Sequence, residues 1–235
     1  MIKAWSFSRL SIFEQCKLRT KLAYIDRIPE PPRPLPPGKT EHANDRGTRI
    51  HDAAERFVRG GVELLPELRS FRPEFMRLRD LFNEGKVGLE GEWAIDQDWN
   101  PVAWSSSDCW GRIKLDAFVH LDKHHGVVID YKTGKKFGNE TKHGHEIKHA
   151  EQCQLYQLAA FMRYPDLEVI DVELWYTDQD EITHMRYTRA QGLRFFQKFH
   201  NQAVRMTTET EFPANPNVFS CKWCPYGPRG SGDCT

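Results

Sequence analysis

Gly126-Val127-Val128-Ile129-Asp130-Tyr131-Lys132-Thr133-Gly134 is the stretch from which the fold is read. Val127, Val128, Ile129 and Tyr131 favour a strand. An acid and a lysine are set into that run two residues apart. Side chains at i and i+2 of a strand share a face, so Asp130 and Lys132 emerge side by side just before a Thr-Gly turn. A carboxylate can hold a divalent cation, and a neighbouring ammonium can orient a water or steady a phosphate. Taken alone, the same triplet also describes an ordinary salt bridge at a strand end. What separates the two readings is whether other parts of the chain bring a second acid to this place.

On the N-terminal side, a strand-like segment over residues 109–121 contains Gly111-Arg112-Ile113-Lys114-Leu115-Asp116 and is separated from the first by a short turn at residues 122–126. An antiparallel hairpin centred near residues 123 and 124 brings Asp116 and Asp130 to the same end of the pair. Two carboxylates and a lysine make an oxygen-rich site suited to Mg²⁺ or Mn²⁺. Before the hairpin, Leu89, Gly91, Trp93 and Ile95 alternate with Glu90, Glu92, Ala94 and Asp96, the period of a strand. Residues 98–108 read as a loop that carries Trp99 and Trp104.

The N-terminal part is helical in pattern. A helix is expected over residues 6–27, capped by Ser6 or Ser8, with Cys16 inside it and Arg9, Lys17, Arg19 and Lys21 making it basic. Six prolines in residues 29–38 enforce a loop. A second helix from Asn44 or Asp45 to about Gly60 carries His51, with Ile50, Ala54, Phe57 and Val58 on its apolar side. A third opens at Pro66 with a stripe of Leu68, Phe71, Phe75, Leu78 and Phe82. After the hairpin, residues 134–148 are rich in Lys, His and Gly and read as a flexible loop beside the site. A helix over 150–164, strands over 167–177 and 182–187, and a helix over 188–206 come next. The order of elements describes an α/β layered domain with a mixed sheet.

The chain has 235 residues and is expected to form one domain, residues 1–235, with an internal Pro-rich loop at 29–44 and a C-terminal cysteine segment at 212–235. Its formal net charge is zero, so contact with nucleic acid has to come from local basic patches. No apolar run approaches the ~20 residues of a membrane span and no signal-peptide pattern is present, so the expected setting is the cytoplasm without membrane attachment. Of six cysteines, Cys221, Cys224 and Cys234 crowd into the last fifteen positions, the first two with the C-x2-C spacing of metal ligands.

Gly47-x-x-x-His51, Gly111 to Asp116, Asp130-Tyr131-Lys132-Thr133-Gly134 and Gln152-x-x-x-Tyr156 together resemble, in type and order, the RecB-like branch of the PD-(D/E)XK nucleases, and the resemblance runs over residues 6–234. It implies a restriction-endonuclease-like core in which a mixed β-sheet is flanked by helices. It also implies that Asp116 and Asp130 bind the metal with His51 and the Tyr131 carbonyl, and that Lys132 is the catalytic lysine. Gln152 and Tyr156, four apart on one helix face, meet the DNA backbone or brace the site, and Glu92 resembles an acid that some members place near the metal. One early cysteine, Cys16, with Cys221, Cys224 and Cys234 resembles the iron–sulfur subgroup, which includes the AddB nuclease domain, CRISPR-associated RecB-like exonucleases and phage-encoded relatives. There a 4Fe-4S cluster joins the N- and C-terminal segments; four thiolates can equally hold Zn²⁺. Cys109 and Cys153 read as ordinary buried thiols.

The activity implied by the resemblance is that of a Mg²⁺- or Mn²⁺-dependent deoxyribonuclease, an exonuclease on single-stranded DNA ends in recombination, repair or phage DNA processing. A structure-specific or flap endonuclease with the same site, and a DNA-end-binding subunit of a larger assembly such as a CRISPR adaptation machine, are the alternatives. The basic first helix, the loop over 135–148, Trp99 and Trp104 are candidates for lining the path of the strand.

Overall fold

The computed structural model describes residues 1–35, 37–134 and 143–234. Its centre is a mixed six-stranded sheet in the order β2-β1-β3-β4-β5-β6. The strands are β1 (Val87–Ile95), β2 (Pro101–Val102), β3 (Gly111–His120), β4 (His125–Lys132), β5 (Val169–Tyr176) and β6 (Glu181–Thr188). The hairpin expected from the sequence is β3–β4, antiparallel with Ala117 opposite Ile129 and His120 opposite Gly126. Strands β4 and β5 are parallel, and α5 (His143–Arg163) lies between them in the chain, so this is a βαβ unit. Strand β6 returns antiparallel to β5.

The chain divides into two compact units. One comprises residues 1–34, 94–112 and 197–235, the other residues 35–93 and 113–196. In the second unit, Ala117, Val119, Val127, Ile129, Tyr131 and Trp175 of the sheet form one apolar cluster with Ile50, Ala54, Phe57 and Val58 of α3 (Ala43–Val58) and Phe75 and Leu78 of α4 (Arg72–Asn83). Phe75 is its hub: its ring meets those of Phe57, Tyr131 and Trp175 at centroid distances of 5.2–6.3 Å. Asp116 and Asp130 belong to the opposite alternation of the same two strands. The Pro66 helix begins as a short 3-10 turn, Pro66–Phe71, before α4.

In the first unit, Trp5 is fully buried between Trp99 and Trp110, and Trp110 donates its Nε1–H to Thr207 Oγ1 at 3.2 Å. Trp99, expected along a nucleic-acid path, is 1% exposed and belongs to this core. The basic character of the first helix is also reduced by pairing: Lys17 meets Glu209, Lys21 meets Asp26, and Arg9 donates to the Ala4 carbonyl.

Three helix boundaries differ from the sequence reading. The N-terminal helix is two helices, α1 (Phe7–Gln15) and α2 (Lys17–Tyr24), because Cys16 adopts extended backbone angles (φ −162°, ψ 114°). Ser6 caps α1, as expected. The C-terminal helix is likewise two, α6 (Arg189–Leu193) and α7 (Phe196–Thr208). At Gly192 a Cβ would lie 2.0 Å from Gln157 Oε1 and 2.6 Å from the Phe161 ring, so the chain approaches α5 too closely there for any side chain. Helix α5 begins at His143, earlier than expected, and residues 135–142 of the expected loop lie outside the described residues.

On β5, Asp171 is buried and accepts from Arg186 Nε and Nη2, each at 2.7 Å, with His125 Nε2 at 2.7 Å and His184 Nε2 at 3.0 Å. Burial raises its pKa, but Arg186 and the histidines outweigh that and hold it down at about 2. A depressed carboxyl contributes stability that is complete above its unfolded value and is lost as pH falls through the folded one. Asp171→Asn is therefore expected to lose on the order of 1–2 kcal/mol at neutral pH. The gap from wild type should close as pH falls from about 4 to about 2, followed by urea unfolding.

Candidate active site

The site is assembled on the second unit by the hairpin register. The ladder runs from His120 opposite Gly126 to Ala117 opposite Ile129, and Asp116 and Asp130 are the next residue of each strand beyond it. Residues directly opposite each other in an antiparallel pair point to the same face. Two carboxylates are thus buried together, Asp116 8% and Asp130 5% exposed. Each is held by a different set of partners.

Asp116 Oδ1 lies 2.8 Å from His51 Nδ1, and its Oδ2 accepts the Tyr131 backbone N–H at 2.5 Å. Burial pushes the Asp116 carboxyl above the usual carboxylate range; its His51 contact opposes the rise and the Asp130 charge adds to it. Burial alone would lower His51, but the Asp116 hydrogen bond and charge win, and its pKa is raised. His51 also packs edge-on to the Tyr131 ring at 5.7 Å, which fixes the imidazole from the side.

Asp130 belongs to a closed ring of polar contacts. Lys132 Nζ is 2.5 Å from Asp130 Oδ2 and donates to Gln152 Oε1 at 2.8 Å; Gln152 Nε2 donates to Tyr156 Oη at 2.5 Å; Tyr156 donates to Asp130 Oδ1 at 2.8 Å. Gln152 and Tyr156 lie one helical turn apart on α5, which lets both reach the strand end. Tyr156 is pushed far above its ordinary pKa by burial, with the Asp130 charge adding to it, so it stays a neutral donor. Asp130 Oδ2 is buried against the Lys132 ammonium, in an ion pair without directed hydrogen-bond geometry.

A third acid completes the group. Ligand atoms of His51, Glu90 and Asp116 all lie within 4.8 Å of one another. Two hard carboxylates and an imidazole, with the Asp130 oxygen on the adjoining strand, form a donor set that suits a divalent cation. Glu90 was not singled out by the sequence, which pointed to Glu92. The reason is local: Glu90 has φ +47°, in the left-handed region, and this disrupts the alternation of β1. Glu92 is exposed, whereas Glu90 turns in and pairs with Lys114 Nζ at 2.6 Å. The available signal was Gly88 and Gly91 on either side, since glycine inside a strand often marks a bulge.

The four cysteines grouped by the sequence come together on the first unit. Cys16, Cys221, Cys224 and Cys234 line one cavity of about 260 Å³ with Arg19, Asn215 and Pro228. None of the four is in a disulfide. The helix break at Cys16 takes its side chain out of the α1 stripe. The C-terminal segment is folded tightly around Gly230, where a Cβ would lie 1.8 Å from the Pro225 carbonyl oxygen, and Cys234 N–H is bonded to the Tyr226 carbonyl at 2.8 Å. Cys109 and Cys153 are buried elsewhere, and burial pushes the Cys153 thiol up to about 12.

The chain matches the family model of the PD-(D/E)XK nuclease superfamily over residues 4–229 and belongs to that superfamily. Membership agrees with the mixed sheet and with a carboxylate-rich site for a divalent metal, and makes a metal-dependent nuclease the coarse functional assignment. A solved structure described as "Crystal structure of SSO0001" is similar to the chain at 14% identity and a TM-score of 0.45, covering 96% of this chain and 84% of that one. No curated protein matches the chain significantly. No helix among the described residues is long and apolar enough to cross a membrane.

The geometry gives different outcomes for the two glutamates of β1. Glu90→Gln is expected to weaken Mn²⁺ binding by about tenfold or more in calorimetric titration, as loss of a ligand charge does. Glu92→Gln should leave it unchanged.

Proposed function

We propose that this protein is a DNA exonuclease dependent on Mg²⁺ or Mn²⁺, with a preference for single-stranded ends, that hydrolyses phosphodiester bonds in recombination, repair or phage DNA processing. The observation that carries the nuclease reading is the pairing of two buried carboxylates with a lysine whose ammonium is fixed by Gln152. The exonuclease and single-strand parts rest on the resemblance to RecB-like nucleases.

In this reading His51, Glu90, Asp116 and Asp130 hold the cation, with the Tyr131 carbonyl as a further ligand. When bound, a divalent cation neutralises charge on the scissile phosphate and makes a water more acidic. The chain's own groups do the rest. Lys132, kept in place by Gln152 and by the Asp130 charge, orients the attacking water and faces the negative charge that grows on the phosphate oxygens. Tyr156, neutral throughout, holds Asp130 Oδ1 so that Oδ2 is presented inward. Gln152 joins the two, and a shift of α5 would misplace Lys132 and Asp130 together.

The cysteine cavity, in the same reading, holds a 4Fe-4S cluster. A single zinc at about 2.3 Å from each sulfur draws four thiolates to roughly 3.8 Å from one another. The choice of a cluster over such a zinc rests on the resemblance to the iron–sulfur subgroup, with the four cysteines lining one cavity. Such a cluster would link Cys16 to the C-terminal segment and contribute directly to folding.

The nuclease and its polarity toward ends are tested by digesting end-labelled linear single-stranded DNA, linear duplex and circular single-stranded DNA with Mn²⁺ or with EDTA. The linear single strand should be degraded only with Mn²⁺ and the circle should survive. Cutting of the circle would replace the exonuclease by an endonuclease, and no metal-dependent cutting of any DNA would end the nuclease reading. For the cysteines, anaerobically purified protein should absorb near about 400 nm, and Cys221→Ser should lose that band with a lower Tm. A colourless wild type containing stoichiometric zinc would refute the cluster.

A further inference from the structure

Among the described residues, the aromatic side chain most open to solvent is in none of the places where the sequence suggested a nucleic-acid path. Trp223, between Cys221 and Cys224, is 71% exposed, and Val218 at the start of the same segment is 83% exposed. Five of the other six tryptophans are buried and Trp104 is half-buried. An exposed indole offers a flat apolar face with a polar N–H at its edge, the kind of side chain enriched at binding surfaces.

The charge around it narrows the choice. Lys222 Nζ sits 5.1 Å from the Trp223 ring centroid, and Arg229 lies a few residues on. Neither cation has an ion pair among the described residues, whereas Lys17, Lys21, Arg33 and Arg205 of the same unit are each paired with an acid. The cavity wall contains Cys221, Cys224 and Pro228, the sequence neighbours of Lys222, Trp223 and Arg229, so the three side chains arise around one small feature. The unit that carries them has twelve Lys and Arg against nine Asp and Glu, in a chain whose total is balanced. An exposed indole with a lysine ammonium over one face, on a segment that also carries Arg229, matches a base and its phosphates. A stable protein interface instead needs roughly 800 Å² of each partner around several apolar anchors. In residues 213–234 the large exposed apolar side chains, among those described, are Val218 and Trp223.

We propose that Trp223, with Lys222 and Arg229, forms a base-stacking platform that grips single-stranded DNA. It rests on the reading of DNA as the substrate and adds a binding subsite to it. Tryptophan supplies sequence-tolerant stacking, and the two cations follow the backbone.

The test measures binding, without cleavage, of a fluorescein-labelled oligothymidylate to the full chain as purified anaerobically, in EDTA, across a series of salt concentrations. Trp223→Ala should weaken binding about tenfold, and Trp223→Phe should keep it within about threefold of wild type. The Lys222→Ala/Arg229→Ala pair should lower the slope of log K against log salt by about 1.4. Tryptophan emission should be quenched by the oligonucleotide in wild type and not in Trp223→Phe. Unchanged affinity in Trp223→Ala would overturn the platform. So would equal weakening by Ala and Phe, or binding of polyglutamate as tight as binding of the oligonucleotide. If Trp223→Ala does not fold, the salt slope of the charge variant and the quenching in Trp223→Phe decide alone. Wild type that degrades DNA while Trp223→Ala binds normally defeats this proposal and leaves the nuclease reading intact. Wild type that binds through Trp223 but cuts nothing does the reverse.

Discussion

Two carboxylates buried side by side are the constraint on which the active-site unit depends. The β3–β4 register sets Asp116 against Asp130 with little solvent on either. Moving one unpaired charge out of water costs several kcal/mol, and a second like charge adjacent to it raises the cost. Every neighbouring polar group can be understood as a response. His51 and the Tyr131 N–H satisfy Asp116; Lys132 and Tyr156 satisfy Asp130; Gln152 ties the last two together. The helices that supply these groups, α3 and α5, are in turn placed by apolar packing, and on the α3 side Phe75 and Tyr131 join the core to the site.

The site is still crowded with negative charge. Lys132 lies against Asp130 Oδ2 in a buried ion pair, and Glu90 brings a third carboxylate to His51 and Asp116 from a residue with left-handed backbone. Carboxylates gathered in one place repel one another, and strained backbone gathers where a protein binds something. A divalent cation offsets that repulsion, which is the physical reason to expect a metal at this place in a member of the PD-(D/E)XK superfamily.

Much of this was legible in the sequence, for identifiable reasons. The hairpin could be read because the β-favouring run Val127 to Ile129 with Tyr131 follows its partner strand across a short polar turn, and a turn of known length fixes register. Gln152 and Tyr156 could be placed because a spacing of four brings them to one face of a helix, whereas His51, on another helix, was reached through the resemblance. Glu90 could not, because a single left-handed residue reverses the order of inside and outside along β1. The break at Cys16 and the split at residues 194–195 were hidden for a similar reason: continuous apolar spacing says nothing about one or two residues that leave the helix. Trp99 was misjudged because aromatic content in a loop does not distinguish a stacking surface from a core, and Trp5 and Trp110 lie apart from it in sequence.

The cysteine cavity extends the same logic to the other unit, where residues from positions 16 to 234 converge on one small space. Cleavage itself is assigned to Asp116, Asp130 and Lys132. This assignment is tested most directly by comparing wild type with Lys132→Ala for Mn²⁺-dependent cleavage of single-stranded DNA, with DNA affinity measured in parallel. Cleavage is expected to fall by at least about a hundredfold while DNA affinity changes little. Cleavage that survives in Lys132→Ala at the wild-type rate would contradict the role given to this lysine and to the carboxylates it pairs with.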